Sequence, residues 1–490
     1  MIFNSVTYLV FFPAVTLLYF LLPYRFRNLW LLAASFLFYM NWNAAYGLLL
    51  LGSVVITYLT ALLMEKTSEQ GRRRAVMAVG LLLNLGALIY FKYSGFLIDN
   101  LNLILPGREF KAPDILLPVG ISFYIFQALG YMLDVYYQKI AAEKNFFKYA
   151  LFVSFFPQLV AGPIERSKNL LPQFDEKHDF DVDRVRSGLL LMLWGLFMKM
   201  VIADRLCLIV DHIFDSYLEY NGMEIILAVA LFTIQIYCDF SGYSYIAIGS
   251  ARVLGFKLMD NFHHPFLSCS IHQYWKNWHI SLTSWFTDYV YIPLGGNRKG
   301  RLKKYRNTFL VFLISGFWHG AAWNYVIWGG FNGMLMVLEE ALTPLRNRAL
   351  AFLKVDKESF SYRFFAGLGT FGIVVFTFLI FRAPTISQAV AMLRQIKARP
   401  SVVSLFGESW SRLAEAGGLE GIEPVAVLLA ILLLLLVDYM QLRQKDVAAL
   451  LLSQALLFRW MVYLVLLGTI ILFGIYGNEY TQTAFIYFQF

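Results

Sequence analysis

The sequence predicts an all-α polytopic membrane protein, on three observations. The chain is 59% apolar and 17% aromatic with only 15% charged residues, far more hydrophobic than an ordinary soluble domain. Apolar runs long enough, or nearly long enough, to cross a hydrocarbon core of about 30 Å recur along its length. The Lys and Arg residues behind the net charge of +9 sit in short loops between those runs, as membrane topology requires. That distribution argues for a membrane-lipid setting and against a nucleic-acid partner. Cys207, Cys238 and Cys269 form an odd set without CxxC spacing, so neither a disulfide framework nor a metal site is expected. The reading is one membrane-embedded domain over residues 1–490.

Taken in order, apolar runs lie at about 7–22, 29–42, 45–64, 75–97 and 116–137. The first lacks a basic leader region and a small-residue cleavage site, so it reads as a transmembrane helix rather than a removed signal peptide. Arg25 and Arg27 follow it, and Lys66, Arg72, Arg73 and Arg74 follow the third run. Basic loops stay inside, which puts the amino terminus outside. The stretch 146–164 is apolar but broken by Pro157, Gly162 and Pro163, which suits a re-entrant or interfacial segment better than a span. Two long helices are expected at 187–214 and 223–248. Lys199 interrupts one apolar face and Asp239 the other; the two residues either form a paired structural charge or line a polar path.

From about 251 to 307 the chain turns polar, aromatic and basic without a spanning run. Residues Ile271 to Ile280 have the character of a segment lying at, or dipping into, the cytoplasmic face, and Gly295-Gly296-Asn297 marks a turn. Trp275, Trp278, Trp285 and Tyr289 read as interface anchors more readily than as substrate platforms. Further spans are expected at about 364–381, 424–441 and 455–476, with an external, partly helical connection over 385–422. The total is about twelve apolar transits with both termini outside.

The segment 308–342 is the centre of this arrangement. As one helix it would run about 52 Å, too long for a single span, and both its flanks are basic (Arg298 to Arg306 before, Arg346 to Lys354 after). Both ends therefore stay on the cytoplasmic side and the segment folds as a helical hairpin interrupted at Trp318-His319-Gly320-Ala321-Ala322-Trp323-Asn324. His319 falls about 18 Å deep, and an ionisable side chain there marks a functional site by default. The plainer alternative is an imidazole that bonds a neighbouring carbonyl and holds two helices together.

Four stretches together resemble the membrane-bound O-acyltransferase (MBOAT) family, and within it the bacterial alginate O-acetyltransferase branch. They are Leu117-Pro118-Val119-Gly120-Ile121-Ser122-Phe123-Tyr124 with Phe126-Gln127; Phe155 to Ile164; Trp278-His279-Ile280-Ser281-Leu282 running on to Tyr291 to Arg298; and Trp318-His319-Gly320-Ala321-Ala322-Trp323. Asp239 to Ser244 and the terminal Phe485 to Phe490 are also similar to that branch. The chain departs from its pattern at Tyr245, His264, Cys269 and Asn277.

The resemblance implies a helical bundle with re-entrant or interfacial helices and a central tunnel, with His319 and His279 as its two catalytic histidines. It also implies an acetyltransferase of the bacterial cytoplasmic (inner) membrane that takes acetyl from a cytoplasmic thioester, acetyl-CoA, as donor substrate. No bound cofactor is expected. The acceptor would be an exported polysaccharide, reached with an extracytoplasmic SGNH-type acyltransferase as partner. The residues themselves leave two other readings open: D-alanyl transfer from a carrier protein to a wall polymer, and a transporter of lipid-linked sugar or of the donor. Asn324 could offer an amide hydrogen to a developing oxyanion or make a helix-packing bond. The basic loops 252–257 and 298–306 set topology and could also meet the donor's phosphates.

Overall fold

In the computed structural model the described residues are 1–105, 107, 109–399 and 408–476. The motif at Phe485 to Phe490 lies outside them. Every regular element among the described residues is helical, and the chain divides into two compact units. One comprises Met1–Met192 with Tyr243–Asp260, the other Leu193–Gly242 with Asn261–Phe490. One boundary falls inside the helix Gly222–Leu254, so that helix contributes residues to both.

The first unit is built from helices Val6–Leu21, Tyr24–Met40, Ala44–Lys66 and Ile121–Tyr136, with a longer element over Gln70–Ile104. That last element bends through a π-helical turn at Ile89–Tyr93. Ala44–Lys66 packs against both Gln70–Leu88 and Ile121–Tyr136, and its buried polar groups are paired. Ser53 donates to Asn84 Oδ1 at 2.6 Å, and the Thr57 hydroxyl lies 2.6 Å from the Tyr149 hydroxyl. Lipid offers no hydrogen bonds, so such pairing is what permits hydroxyls in a spanning helix. Leu9, Leu17, Leu48 and Leu82 are exposed on the outer faces, where acyl chains rather than water would meet them. The proline-broken stretch is two short helices, Phe146–Ser154 and Phe156–Leu159, and not a span.

The run expected at 187–214, which passes from the first unit to the second after Met192, is not one helix. It passes from Val182–Phe197 through a π-helical turn, Met198–Ala203, into Asp204–Asp215. Lys199 in that turn is 2.8 Å from Asp204 and 2.6 Å from Asp239, with all three side chains almost fully buried. Of the two readings open for Lys199 and Asp239, the paired structural charge is the one observed, with Asp204 as a third member. The segment after Asn261 forms short helices Ile271–Asn277 and Ile280–Phe286 and a π turn, Thr287–Tyr291. The hairpin follows as Arg301–His319 and Trp323–Phe352, packed along one another. Their closest approach is backbone to backbone. A Cβ on Gly316 would collide with the Tyr325 carbonyl, and one on Gly329 would meet Gly316 Cα at 2.8 Å.

Among the described residues, six helical elements are long and apolar enough to cross a membrane: Ala44–Lys66, Gln70–Ile104, Gly222–Leu254, Phe360–Arg382, Glu423–Leu442 and Leu456–Phe473. The twelve transits counted from sequence also include shorter or more polar helices, such as Val6–Leu21 and the two hairpin arms. The connection after Arg382 is helical over Ile386–Ala398 and Glu408–Ala416.

Two outcomes follow for thermal unfolding of the detergent-purified protein. Lys199→Met strands two buried carboxylates and is expected to cost about 3–5 kcal/mol, whereas the exposed Lys303→Met stays within about 0.5 kcal/mol of the parent. Gly329→Val forces the hairpin arms apart and is expected to cost about 1–3 kcal/mol or more.

Candidate functional site

His319 is the last residue of the first hairpin arm and is 4% exposed. Trp328, one helical stretch into the returning arm, meets it edge to face, with centroids 5.2 Å apart and planes at 90°. Phe381 closes a further side at 5.6 Å. The Gly316–Gly329 contact makes this possible, because only bare backbone lets the arms come close enough for the two rings to touch.

His279 reaches the same cluster from the polar segment. Its backbone adopts a left-handed conformation (φ 45°) between the two short helices, which turns the chain sharply inward. Asn261 holds that turn: its carbonyl accepts from Ile280 N–H at 2.9 Å, and its side-chain oxygen accepts from Ser281 Oγ at 2.9 Å and Ser281 N–H at 3.3 Å. His263 N–H donates to the Asn277 carbonyl at 3.0 Å, a second tie across the turn. The imidazole, 2% exposed, stands edge-on to Phe240 at 4.6 Å and lies 6.1 Å from the Trp318 ring. Trp318 is itself 5.1 Å from His319. The two imidazoles that sequence reasoning singled out thus share contact with one indole. Burial holds the His279 imidazole well below the usual histidine range, and the nearby His319 acts in the same direction.

The tryptophans of the polar segment do not behave as interface anchors. Trp275, Trp278, Trp285 and Tyr289 are all buried, because the segment turns inward at His279 and carries its aromatic face with it. Trp275 packs on Trp328 at 5.7 Å, and Trp278 on Phe262 at 5.1 Å and Tyr274 at 5.5 Å. Behind Trp278, the Tyr237 hydroxyl lies 3.1 Å from both carboxylate oxygens of Asp438, a buried acid on the leucine-rich helix Glu423–Leu442. Neither Asn261 nor the Tyr237–Asp438 pair stood out in the sequence; the lone acid among leucines was the available signal for Asp438.

Asn324 starts the returning arm, and its amide nitrogen donates to the carbonyls of Phe381 at 3.4 Å and Ala383 at 3.1 Å. Both amide hydrogens are thereby committed to the end of helix Phe360–Arg382, which is the helix-packing role and leaves none for an oxyanion. Among the basic residues of 298–306, Lys304 is paired with Glu340 at 2.5 Å, while Arg298, Lys299, Arg301 and Lys303 are exposed. No group of three or more His, Cys, Asp or Glu side chains among the described residues is arranged to hold a metal ion.

A buried pair of imidazoles inside a spanning helical protein fits acyl transfer, and the chain's likeness to known proteins decides the family. The profile of MBOAT, the membrane-bound O-acyltransferase family, matches residues 134–359. The probable alginate O-acetylase AlgI of Pseudomonas putida is 39% identical over 399 residues, covering 80% of this chain and 79% of that protein. The chain belongs to the membrane-bound O-acyltransferase family. It is accordingly a multi-pass membrane protein and a membrane-bound O-acyltransferase. Among other MBOAT relatives, the peptidoglycan O-acetyltransferase of Helicobacter pylori is 34% identical over 426 residues, covering 80% of this chain and 79% of that protein. The teichoic acid D-alanyltransferase of Streptococcus thermophilus is 26% identical over 281 residues, covering 54% and 68%. The MBOAT match at 134–359 contains both histidines, the polar segment and the hairpin.

The left-handed backbone at His279 separates chemistry from strain. Asn accepts this conformation far better than a β-branched residue does, so His279→Asn is expected to unfold within about 1 kcal/mol of the parent and His279→Val well below it. Protonation gives a second readout. The unfolded chain takes up a proton near pH 6.5 that the folded site resists. Stability from this group is therefore complete above that pH and lost progressively as pH falls toward the folded pKa. Unfolding measured across this range is expected to show less acid sensitivity in His279→Asn.

Proposed function

We propose that this protein transfers acetyl groups from a cytoplasmic thioester, acetyl-CoA, for O-acetylation of an exported polysaccharide. It would act in the bacterial cytoplasmic membrane with an extracytoplasmic SGNH-type acyltransferase as partner. The observation that carries this reading is the meeting of His319 and His279 against Trp318, in a buried cluster of an acyltransferase fold. The names of the Pseudomonas and Helicobacter relatives support acetyl as the group and a carbohydrate polymer as the acceptor.

A hydroxyl is a poor nucleophile near neutral pH, and a positioned base with a pKa near that pH is worth about 10²–10⁴ in rate. Histidine is the side chain that starts there. In the proposed step His319 takes the proton of the acceptor hydroxyl as its oxygen bonds to the thioester carbonyl carbon. The carbonyl π pair moves onto oxygen, then returns as the C–S bond breaks. The leaving thiolate recovers the proton from His319, giving an ester and a free thiol. His279, kept neutral by burial, can orient either reactant or make a second proton transfer. The exposed cations Arg298, Lys299, Arg301 and Lys303 suit the phosphates of the donor's head, which stay in water while a long flexible arm carries the acetyl inward.

In a strain lacking the native gene, His319→Ala is expected to insert and unfold like the parent yet reduce polymer acetylation at least about 10²-fold. Acetyl ester measured by mass spectrometry of the purified polymer is the check. Retained acetylation would remove His319 from the reaction, and an alanyl ester in place of acetyl would move the protein to the D-alanyl branch.

A further inference from the structure

The indoles of Trp328 and Trp275 are buried hydrogen-bond donors in the cluster around His319. Trp328 is 2% exposed and Trp275 8% exposed, and neither indole Nε1–H has a hydrogen-bond partner among the described residues. Buried indole N–H groups ordinarily find an acceptor, and leaving one unmet in a low-dielectric interior costs about 1–3 kcal/mol. The Trp30 indole, by contrast, donates to the Val15 carbonyl at 3.1 Å. Trp275 and Trp328 are neighbours, 5.7 Å apart between ring centroids. Trp328 also touches His319 at 5.2 Å and Phe381 at 5.0 Å. Two unmet donors beside the candidate base point to a cargo that brings its own acceptors.

We infer that Trp328 donates the hydrogen bond that holds the acyl carbonyl oxygen beside His319, with Trp275 as a second indole donor for the same cargo. This rests on the acyl-transfer reading and adds a group to it. A thioester carbonyl has no hydrogen to give and an oxygen that becomes negative when the hydroxyl attacks, so it needs donors on the oxygen side and an acceptor on the hydroxyl side. His319 supplies the acceptor. Asn324 cannot supply the donor, because both its amide hydrogens are committed to Phe381 and Ala383 carbonyls. Trp328 carries such a donor and stands perpendicular to His319 at 5.2 Å. Its perpendicular contact with His319 lets one small planar group address both rings. The bond it makes strengthens as charge moves onto oxygen, which is the interaction that speeds a chemical step. The covalent sequence is unchanged: the proton passes from hydroxyl to His319 to thiolate, and Trp328 neither gains nor loses one.

The experiment replaces Trp328 by 3-benzothienylalanine, which keeps the bicyclic shape and exchanges N–H for sulfur, and separately by Phe. Each purified full-length variant is reconstituted in lipid vesicles and assayed for thiol release from acetyl-CoA with the polysaccharide acceptor present. The expected result is a fall in kcat of about 10²-fold for the benzothienyl variant with KM nearly unchanged, as loss of one oxyanion donor produces, and unfolding like the parent. The same exchange at Trp275 is expected to lower kcat as well, by a smaller factor. A benzothienyl variant at Trp328 with parental kcat would overturn the inference while leaving the acyltransferase reading intact, because the ring would then act by packing alone. A parent protein that releases no thiol under any acceptor would overturn both. If the Phe variant loses activity and the benzothienyl variant retains it, the role is steric and the inference fails.

Discussion

The contact between Gly316 and Gly329 is the constraint on which the candidate site depends. Two helices that carry ordinary side chains stay about 8–10 Å apart, too far for a ring at the end of one to lie against a ring near the start of the other. Bare backbone at both positions lets the hairpin close, and closing brings His319 onto Trp328. From that pair the rest of the cluster follows outward: Phe381 on one side, Trp275 on another, and Trp318 leading to His279. The second histidine needs a different device. The polar segment reverses at a left-handed residue, and Asn261 holds the reversal with three hydrogen bonds, so a chain that runs along the membrane face sends one imidazole inward.

The hairpin, its breaking point and both histidines were legible in the sequence, because length against bilayer thickness and the placement of Lys and Arg are local signals. The pairing of Lys199 was not decided there. Pattern alone marks an interrupted apolar face, but which charge answers it depends on a π-helical turn and on a second helix about forty residues later. The aromatic residues of the polar segment misled for a related reason. Trp275, Trp278, Trp285 and Tyr289 have the composition of an interfacial belt, and only the turn at His279 shows that they face inward. Asn324 illustrates the same limit: its residue type suits an oxyanion donor or a helix tie, and the position of two carbonyls at the end of another helix selects the tie. Asn261 carried no sequence signal, since an asparagine in a polar loop is unremarkable until its partners are known.

Membership of the acyltransferase family accords with a site that is aromatic where an enzyme of soluble substrates would be polar. Indole and phenyl rings pack against both histidines. A dry, aromatic surround favours neutral reactants and makes each hydrogen bond inside it count for more than in water. It also explains why charge is concentrated elsewhere, in the Lys199 cluster and in pairs such as Arg382–Asp211 and Arg205–Glu423, which tie helices together away from the rings.

The short irregular turn at Met198–Ala203 has a consequence for how the buried charges are wired. Lys199 and Asp204 are five positions apart, and the Asp204 N–H bonds the Lys199 carbonyl, the spacing of a π-helix. On a regular α-helix, five steps of about 100° would leave the two side chains roughly 140° apart around the axis, pointing away from one another. Widening the coil by one residue brings them onto the same side, with Asp239 supplying the third corner. Removal of a single residue between 199 and 204 would leave the two side chains four positions apart, still on one face of the tighter coil, so the extra residue in the turn lets the helix lengthen without parting the pair.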